Sequence, residues 1–288
     1  MTQNLAEKLF GERARAADNF IENYLEKRLL KDAPGLVKLK EAMAYSANSG
    51  GKRFRPVLSI MTAEALGVDP KFVLPFGSAV EFIHTYSLIH DDLPCMDNDD
   101  MRRGKPTNHK VYGEATALLA GDALLTEAFY LVTQNYVTLG ELAAKAAAEL
   151  SQSAGACGMV GGQSIDMYAK REDLSQDELI RLHNLKTGEL IKVAALGAAI
   201  LCGANQKQQK EIHEYALILG LAFQVKDDIL DFNPQKPESG SFASLIGLEE
   251  TKNYLNALTE SSQQSIKSWD SKANPLRELA VYNRDRDK

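Results

Sequence analysis

Cysteine is scarce in this sequence, and the few that occur are isolated. The 288 residues include only three, which are widely separated, and none belongs to a CxxC pair. An odd number of isolated thiols argues against the disulfide framework of a secreted domain and favours a reducing compartment. We therefore predict a cytoplasmic protein in which Cys95, Cys157 and Cys202 are free.

Long apolar runs and an excess of basic charge are also missing. No window holds 18 uninterrupted apolar residues, and residues 1–20 lack the apolar centre of a signal peptide. We therefore predict neither a membrane span nor a leader. With 33 basic against 39 acidic residues, the formal net charge is −6, which argues against a broad nucleic-acid-binding surface.

Strand signals are scarce as well, because no alternating run is bounded by hairpin turns. Apolar residues instead recur at three- and four-residue steps, which is the period of amphipathic helices. We predict an all-α fold, with a single domain over residues 1–288 and about ten or more helices. The expected helices include a buried central one at about 71–93 and others at about 115–139, 141–157, 176–202 and 206–232, before a loop at 233–242 and a more polar helical tail from Leu248.

Acidic residues crowd into one stretch directly after the predicted central helix. In IHDDLPCMDNDDMRRGK (89–105), five aspartates fall within ten residues, with no lysine or arginine among them. Asp91 and Asp97 are six apart, which on a straight helix would point them away from each other. Pro94 must bend the chain, so Asp97 can return towards Asp91 and Asp92.

A shorter acidic cluster, QVKDDILDF, lies at 224–232. On a helix, Asp227 and Asp231 project from one face one turn apart, with Asp228 adjacent. Like charges at this spacing destabilise a helix, so a divalent cation is expected, and carboxylates without His or Cys favour Mg²⁺ over Zn²⁺. The alternative is a solvated acidic face, and the apolar flanking residues argue against it.

Basic and polar residues near both clusters are suited to phosphate oxygens. Guanidinium groups bind phosphate in bidentate fashion, and a helix N-terminus beside a glycine pair adds backbone donors. Two acidic sets with such cations nearby form a plausible cage for a metal-bridged diphosphate. The candidates are Lys52, Arg53, Arg55, Arg102, Arg103, Lys186, Thr187 and Gln224.

Taken together, these stretches resemble the trans-isoprenyl diphosphate synthases, most closely the bacterial members that form farnesyl diphosphate. DDLPCMD and DDILD match the two aspartate-rich motifs of that family. The remaining matches follow in the family's order, from about residue 20 to the end of the chain: GGKRFRP, HTYSLIHDD, MRRGKPTNH, LLAGDALL, GGQSIDM, LKTGELI and AFQVKDD.

The resemblance implies helices around a central active-site cavity and a homodimer. It also implies head-to-tail transfer of a dimethylallyl or geranyl group to isopentenyl diphosphate, giving farnesyl diphosphate, with Mg²⁺ at about three ions per loaded site. The implied metal ligands are Asp91, Asp92, Asp97, Asp227, Asp228 and Asp231. The allylic diphosphate would be held by Arg102, Lys186, Thr187 and Gln224, and the isopentenyl diphosphate by Lys52, Arg55, His84 and Arg103. The implied catalytic set is Asp91, Asp92, Asp97, Asp227, Lys186 and Arg102.

Three residues before the first aspartates gain a role only through this resemblance. A single His on an apolar helix is usually a core residue, which is how we interpret His90, but the match HTYSLIHDD makes His84 a diphosphate contact. Tyr86 and Ser87 lie ~6–8 Å below Asp91 along the helix axis. An aromatic floor at Tyr86 implies the farnesyl product. The local likeness of DDLPCMDNDD to geranylgeranyl diphosphate synthases keeps that longer product as an alternative.

The sequence departs from the family after the second acidic cluster. Only nine residues separate Asp231 from Ser241, at the start of SFASLIG, where the family carries a longer glycine-rich loop with a lysine. Lys236 lies too near the aspartates to take that lysine's role. Either a lid element is lost or residues are missing from the sequence, and we favour missing residues.

Two other function classes compete with an active synthase. The short loop suggests a non-catalytic partner subunit, although the complete aspartate sets argue against one. A terpene cyclase also ionises a prenyl diphosphate, but the residues of GGKRFRP together with His84 and Arg103 indicate a second diphosphate site, which a cyclase lacks.

Overall fold

The fold of the chain is seen in a computed structural model that describes residues 2–28, 33–170, 173–235 and 240–287. Within these residues, fourteen α-helices and one short hairpin form the regular structure, so the all-α prediction is confirmed. The helices are α1 (Thr2–Arg28), α2 (Pro34–Ala47), α3 (Phe54–Ala65), α4 (Leu74–Asp91), α5 (Asn108–Tyr112), α6 (Glu114–Tyr136), α7 (Glu141–Ala154), α8 (Met159–Tyr168), α9 (Gln176–His183), α10 (Glu189–Leu201), α11 (Gln206–Leu230), α12 (Phe242–Leu245), α13 (Leu248–Ser265) and α14 (Asn274–Asp285). The hairpin strands are β1 (Met101–Arg102) and β2 (Lys105–Pro106).

Helices α4 and α10 lie at the centre of the bundle. Every residue of α10 from Leu190 to Leu201 is buried, and α4 is apolar on most faces, as expected for a helix surrounded by others. The two helices approach closely at Gly197, where a Cβ would lie 2.0 Å from a ring atom of Phe76. Because α4 runs through the core, it delivers Asp91 at its carboxyl end from the interior of the bundle.

Two parts of the helical pattern differ from the sequence prediction. The stretch predicted as one helix over 176–202 is divided by a π-helical turn, Asn184–Gly188, between α9 and α10. Helix α8 was not predicted, because the glycine pair of MVGGQSIDMY weakens helix propensity. Both features are stabilised by tertiary contacts that local propensity does not register.

One cluster of buried apolar side chains draws on most of the chain, from Leu9 in α1 to Tyr282 in α14. A smaller cluster around Val225 and Phe242 joins α9, α11, α12 and α13. This continuity supports a single domain over residues 1–288, which remains a prediction.

Two helical stretches are long and apolar enough to span a membrane, namely Pro70–Asp91 and Glu114–Leu139. The first is a core element, with 67% of its apolar window buried inside the protein, and core helices of soluble proteins satisfy the same criteria. The second has only 39% of its window buried, so much of its apolar surface faces outwards.

Candidate active site

The first acidic cluster folds back on the end of α4. Helix α4 ends at Asp91, and after Pro94 the chain returns so that the Asp97 N–H donates to the Asp91 carbonyl oxygen at 2.8 Å. The bend predicted from Pro94 is therefore present. Asp92 caps the helix and is buried, and its Oδ1 accepts a hydrogen bond from Arg102 Nε at 2.7 Å.

Asp91 carries negative charge that its surroundings do not fully offset. Burial is the main cause that raises the pKa of this carboxyl to about 6, and the nearby Asp97 adds to it, while Lys186 and Arg102 oppose the shift. A carboxylate whose ionised form is disfavoured in this way would be stabilised by a bound cation.

The hairpin separates the two arginines that follow the acidic loop. Its turn residues, Arg103 and Gly104, both have positive φ, 52° and 75°, as a tight two-residue hairpin turn requires. Arg102 stays with Asp92, whereas Arg103 Nη1 donates to the Gly50 carbonyl oxygen and to Ser49 Oγ. The hairpin therefore directs Arg103 to the glycine loop before α3.

Within that glycine loop, Arg53 has a structural role. Its buried guanidinium contacts Asp18 at 2.5 Å, Glu81 at 3.0 Å and the Ala47 carbonyl oxygen at 2.6 Å. These contacts tie the loop to α1, α2 and α4. Of the basic residues predicted here, Arg53 is thus engaged inside the protein.

Arg55 and His84 are half-buried and line the same cavity. Arg55 Nε is buried and has no hydrogen-bond partner among the described residues, so a strong donor is left for a ligand. The pKa of His84 lies well below its usual range, chiefly because the ring is buried and then because Arg55 and Arg103 are close. The charges of Arg55 and Arg103, together with the unused Arg55 donor, are suited to a phosphate anion.

A cavity of about 470 Å³ brings many of the predicted residues together. Its walls also include apolar side chains of α8, such as Met159 and Met167, so one end is polar and the other is suited to a hydrocarbon chain. A larger, open groove between α11 and α13 contains none of the predicted residues. The predicted residues that line the 470 Å³ cavity are Arg55, His84, Tyr86, Ser87, Asp91, Lys186 and Thr187.

Lys186 reaches the cavity from the π-helical turn, a feature that often marks functional sites. Its Nζ lies 2.5 Å from Asp166 Oδ2 on α8. Helix α8 and the π-helical turn pack so closely that a Cβ added at Gly162 would lie 2.4 Å from the backbone nitrogen of Lys186. On the other side, a Cβ on Gly220 of α11 would lie 2.9 Å from the last residue of the turn. Two glycine contacts therefore position Lys186 between α8 and α11.

On α11, Asp227 has a protein donor at each carboxylate oxygen. Arg286 Nη2 lies 2.5 Å from Oδ1, and Gln224 Nε2 lies 3.3 Å from Oδ2. Burial raises the pKa of Asp227, while the Arg286 guanidinium opposes that shift. The helix thus carries Gln224 and Asp227 on one face.

The other two aspartates of the second cluster differ from Asp227. Asp228 Oδ2 accepts a hydrogen bond from the Phe242 N–H at 2.6 Å, so this carboxylate anchors the first turn of α12. Asp231 caps α11 and is exposed. Asp228, which was predicted as a metal ligand, therefore has a structural role in holding α12.

The hydrogen bond between Asp228 and Phe242 also brings together the chain on either side of the segment between Asp231 and Ser241. Ser241 is the N-cap of α12 and forms a capping box with Ser244, nine residues after Asp231. Our expectation that residues are missing from this part of the sequence stays a prediction. Lys236 lies outside the described residues.

The segment Lys52–Arg55 links the two acidic clusters. Phe54 packs on Phe223 with 5.2 Å between the ring centroids, one turn before Asp227. The pKa of Lys52 is lowered, mainly by burial and then by the Arg286 charge, while Asp227 acts in the opposite direction. The segment thus runs from the neighbourhood of Asp227 to the cavity that contains Asp91.

Across residues 2–28, 33–170, 173–235 and 240–287, no three His, Cys, Asp or Glu side chains converge as a ready metal site. The donors at both clusters are carboxylates, and Asp91 lacks full charge compensation. This donor set fits Mg²⁺, which binds one or two carboxylates and takes its other ligands from water and phosphate. A cation bound here would therefore complete its coordination with water and phosphate oxygens.

Three residues near the site escaped the sequence analysis. Asp166 and Gln163 lie in the quoted GGQSIDM stretch, and the three-residue spacing places both on one face of α8. Gln163 lines the cavity with its Oε1 buried and unpaired among the described residues. Arg286 had no local signal, because only the docking of α14 brings it to Asp227.

The sequence model of the polyprenyl synthetase family matches residues 37–243 of this chain. This chain belongs to the polyprenyl synthetase family. It is 42% identical over 284 residues to farnesyl diphosphate synthase of Geobacillus stearothermophilus, and this alignment covers 94% of each chain. It is 39% identical to geranylgeranyl diphosphate synthase of Cyanophora paradoxa, which covers 91% of each chain.

The fold comparison agrees with the family. The crystal structure of an FPP/GFPP synthase from Zymomonas mobilis superposes with a TM-score of 0.88 at 38% identity, covering 98% of this chain and 99% of that one. Together with the family match, the relatives indicate a prenyltransferase, and farnesyl diphosphate is the best supported product.

Proposed function

We propose that this polyprenyl synthetase condenses isopentenyl diphosphate with dimethylallyl or geranyl diphosphate, head to tail, to give farnesyl diphosphate and diphosphate. The observation that carries the proposal is the single cavity that combines Arg55, His84, Asp91 and Lys186 with an apolar wall. Cationic donors at one end are suited to diphosphate groups, and the apolar end is suited to prenyl chains.

The chemistry divides between two diphosphate sites. Arg102, Lys186, Thr187 and Gln224 hold the allylic diphosphate, and Lys52, Arg55, His84 and Arg103 hold the isopentenyl diphosphate. The orphan Nε of Arg55 and the pairing of Arg103 with the glycine loop support the second site. Placing the two substrates side by side removes most of the entropic barrier to their reaction.

In the reaction, the allylic carbon–oxygen bond breaks, and its electron pair leaves with the diphosphate. The allylic carbocation then bonds to the double bond of isopentenyl diphosphate, and the departing diphosphate accepts the proton that is lost. Lys186 and Arg102 stabilise the negative charge that develops on the leaving group. The apolar walls exclude water, which would otherwise quench the cation.

Magnesium, bound by Asp91, Asp92, Asp97 and Asp227, would neutralise diphosphate charge and so assist its departure. Asp231 is an exposed further ligand, and Asp228 keeps its structural bond to Phe242. The proposed count of about three ions is the one that the resemblance to the family implies.

Product length is proposed to depend on an aromatic floor. Tyr86 is only 6% exposed and meets the His90 ring edge-on, with 5.7 Å between centroids. His90 Nε2 lies 3.0 Å from the Leu118 carbonyl oxygen, and its ring fills the space that a side chain at Gly121 would take. Two rings held in this way contribute to the cavity lining beside Ser87, which supports the proposed floor and a farnesyl product.

We expect Tyr86→Ala to shift the product mixture towards chains longer than those of the wild type, because the aromatic floor is removed. Chromatography of the dephosphorylated products measures the shift. Tyr112→Ala is the matched control, since Tyr112 packs edge-on against Tyr45 outside the cavity lining. Unchanged chain lengths in Tyr86→Ala would contradict the floor role.

A homodimer is proposed through α6, whose apolar surface is only partly covered. Leu118, Leu119 and Tyr130 lie on its outer face, and Leu119 is 57% exposed. A second copy would bury this stripe. Light scattering should give twice the chain mass of 31.6 kDa, and a monomer at micromolar concentration would contradict the proposal.

The decisive test of function is product analysis of the wild type with Mg²⁺, isopentenyl diphosphate and geranyl diphosphate. Farnesyl diphosphate with stoichiometric diphosphate release is expected. A geranylgeranyl product would establish the longer alternative. Absence of any product would favour a partner subunit, and a hydrocarbon formed from farnesyl diphosphate alone would indicate a cyclase. The free Cys95, Cys157 and Cys202 support a cytoplasmic location.

A further inference from the structure

Arg286 follows the last residue of α14 and is almost completely buried. Helix α14 packs its apolar face into the core through Leu276 and Leu279, and its last turn is closed by the Arg286 N–H, which donates to the Tyr282 carbonyl oxygen at 2.9 Å. The Arg286 side chain is only 5% exposed. The docking of α14 therefore places this guanidinium inside the protein.

The guanidinium is held in one orientation at the second acidic cluster. Nη2 lies 2.5 Å from Asp227 Oδ1 and 3.1 Å from the Phe223 carbonyl oxygen, and Nε donates to Asn283 Oδ1 at 3.1 Å. Its plane lies over the Phe223 ring, 4.3 Å from the centroid. Contacts to a carboxylate, a carbonyl, an amide and an aromatic ring fix the group more firmly than a surface ion pair would.

The hydrogen bonds from Arg286 and Gln224 occupy the Asp227 carboxylate, which a metal ion would need as a ligand. Oδ1 of Asp227 is taken by Arg286, while Oδ2 accepts from Gln224. Asp231, one turn further on, adds like charge to the same region. Without a bound cation, the Arg286 guanidinium places positive charge directly at the half-buried carboxylate of Asp227.

We propose that Arg286 is a placeholder cation, which holds Asp227 in the metal-free enzyme and is displaced when a divalent cation binds there. The inference rests on the proposed function, because that function requires the cation. A guanidinium and a divalent ion on one carboxylate repel each other, and both compete for the same lone pairs. Metal binding is then linked to release of the segment that follows α14.

Metal affinity tests this competition directly. Binding of Mn²⁺ alone is measured by electron paramagnetic resonance for the full chain, for Arg286→Met and for Arg284→Met. Methionine keeps an apolar stem against Phe223 without the charge. Arg284 is the matched control, since it lies two residues before Arg286 and pairs with the neighbouring Asp285 instead of Asp227.

We expect Arg286→Met to bind Mn²⁺ about tenfold more tightly than the wild type, within the usual range of coupling between two ligands. Arg284→Met should stay within about twofold of the wild type. In an Asp227→Asn background, the Arg286→Met effect should disappear. Equal or weaker binding by Arg286→Met would overturn the placeholder role.

Hydrogen exchange on the unmodified protein provides a second readout if Arg286→Met does not fold. Addition of Mn²⁺ with inorganic pyrophosphate should speed amide exchange in residues 283–287, because Arg286 is released, and unchanged exchange would contradict the proposal. Absence of Mn²⁺ binding in every protein, even with inorganic pyrophosphate present, would contradict the proposed function and the placeholder role together. Equal binding in all three would contradict only the placeholder role.

Discussion

Asp91→Asn is expected to lower kcat/KM for prenyl transfer by about 10²–10³-fold, the loss typical when one preorganised electrostatic group is removed from a transition state. Asp91 is the carboxylate that the central helix α4 delivers into the cavity, and its pKa of about 6 shows that its charge is held at a cost. Asparagine keeps the size of the side chain but removes the charge that binds a cation. Steady-state kinetics with geranyl and isopentenyl diphosphate measure the effect.

Asp100→Asn is the matched control within the same acidic stretch. Asp100 is exposed and pairs with Lys110 at 2.7 Å, and it does not line the cavity. Its neutralisation should change kcat/KM by no more than about twofold, as for most surface substitutions. Similar losses in both variants would show that overall acidity of the loop matters, rather than the position of Asp91.

Gly162→Ala is expected to lower kcat/KM by about 10²-fold, the cost of displacing a catalytic group by about 1 Å. The new Cβ would lie 2.4 Å from the backbone nitrogen of Lys186 and 2.7 Å from its Cα, so the π-helical turn must move away from α8. That movement separates Lys186 from Asp166 and from the cavity. Overpacking should also lower the free energy of unfolding by about 1–3 kcal/mol.

Kinetics at a temperature where the variant remains folded, together with denaturant unfolding, separate these two effects. Gly35→Ala is the control, because a Cβ there meets nothing within 4 Å and its backbone φ is not positive. It should leave both activity and stability nearly unchanged. Full activity of folded Gly162→Ala would show that the close contact with α8 does not position Lys186.

The chemistry of the site was largely predictable, because it depends on residue types at short spacing. Carboxylates without His or Cys indicated a hard cation, and Pro94 indicated the bend that returns Asp97 to Asp91. The one-turn spacing of the second cluster predicted Asp227 and Asp231 on one face of a helix. None of these inferences required knowledge of which helices touch.

The partners of the charged side chains were not predictable. Arg53 reads as a phosphate ligand beside Arg55, but the fold buries it against Glu81. Asp228 reads as a metal ligand, yet it anchors the N–H of Phe242. Such pairings join segments distant along the chain, so no local pattern records them.

The sequence by itself determined the helical class, the acidic clusters and the kind of ion and anion that they suit, since periodicity and donor type are local properties. Only the tertiary structure decided that Arg103 serves the glycine loop, that Asp166 holds Lys186, and that Arg286 lies on Asp227. The reason is that an ion pair needs both groups within a few ångströms of each other. That distance is set by how whole helices pack. The close backbone approaches at Gly162 and Gly220 are two examples of such packing.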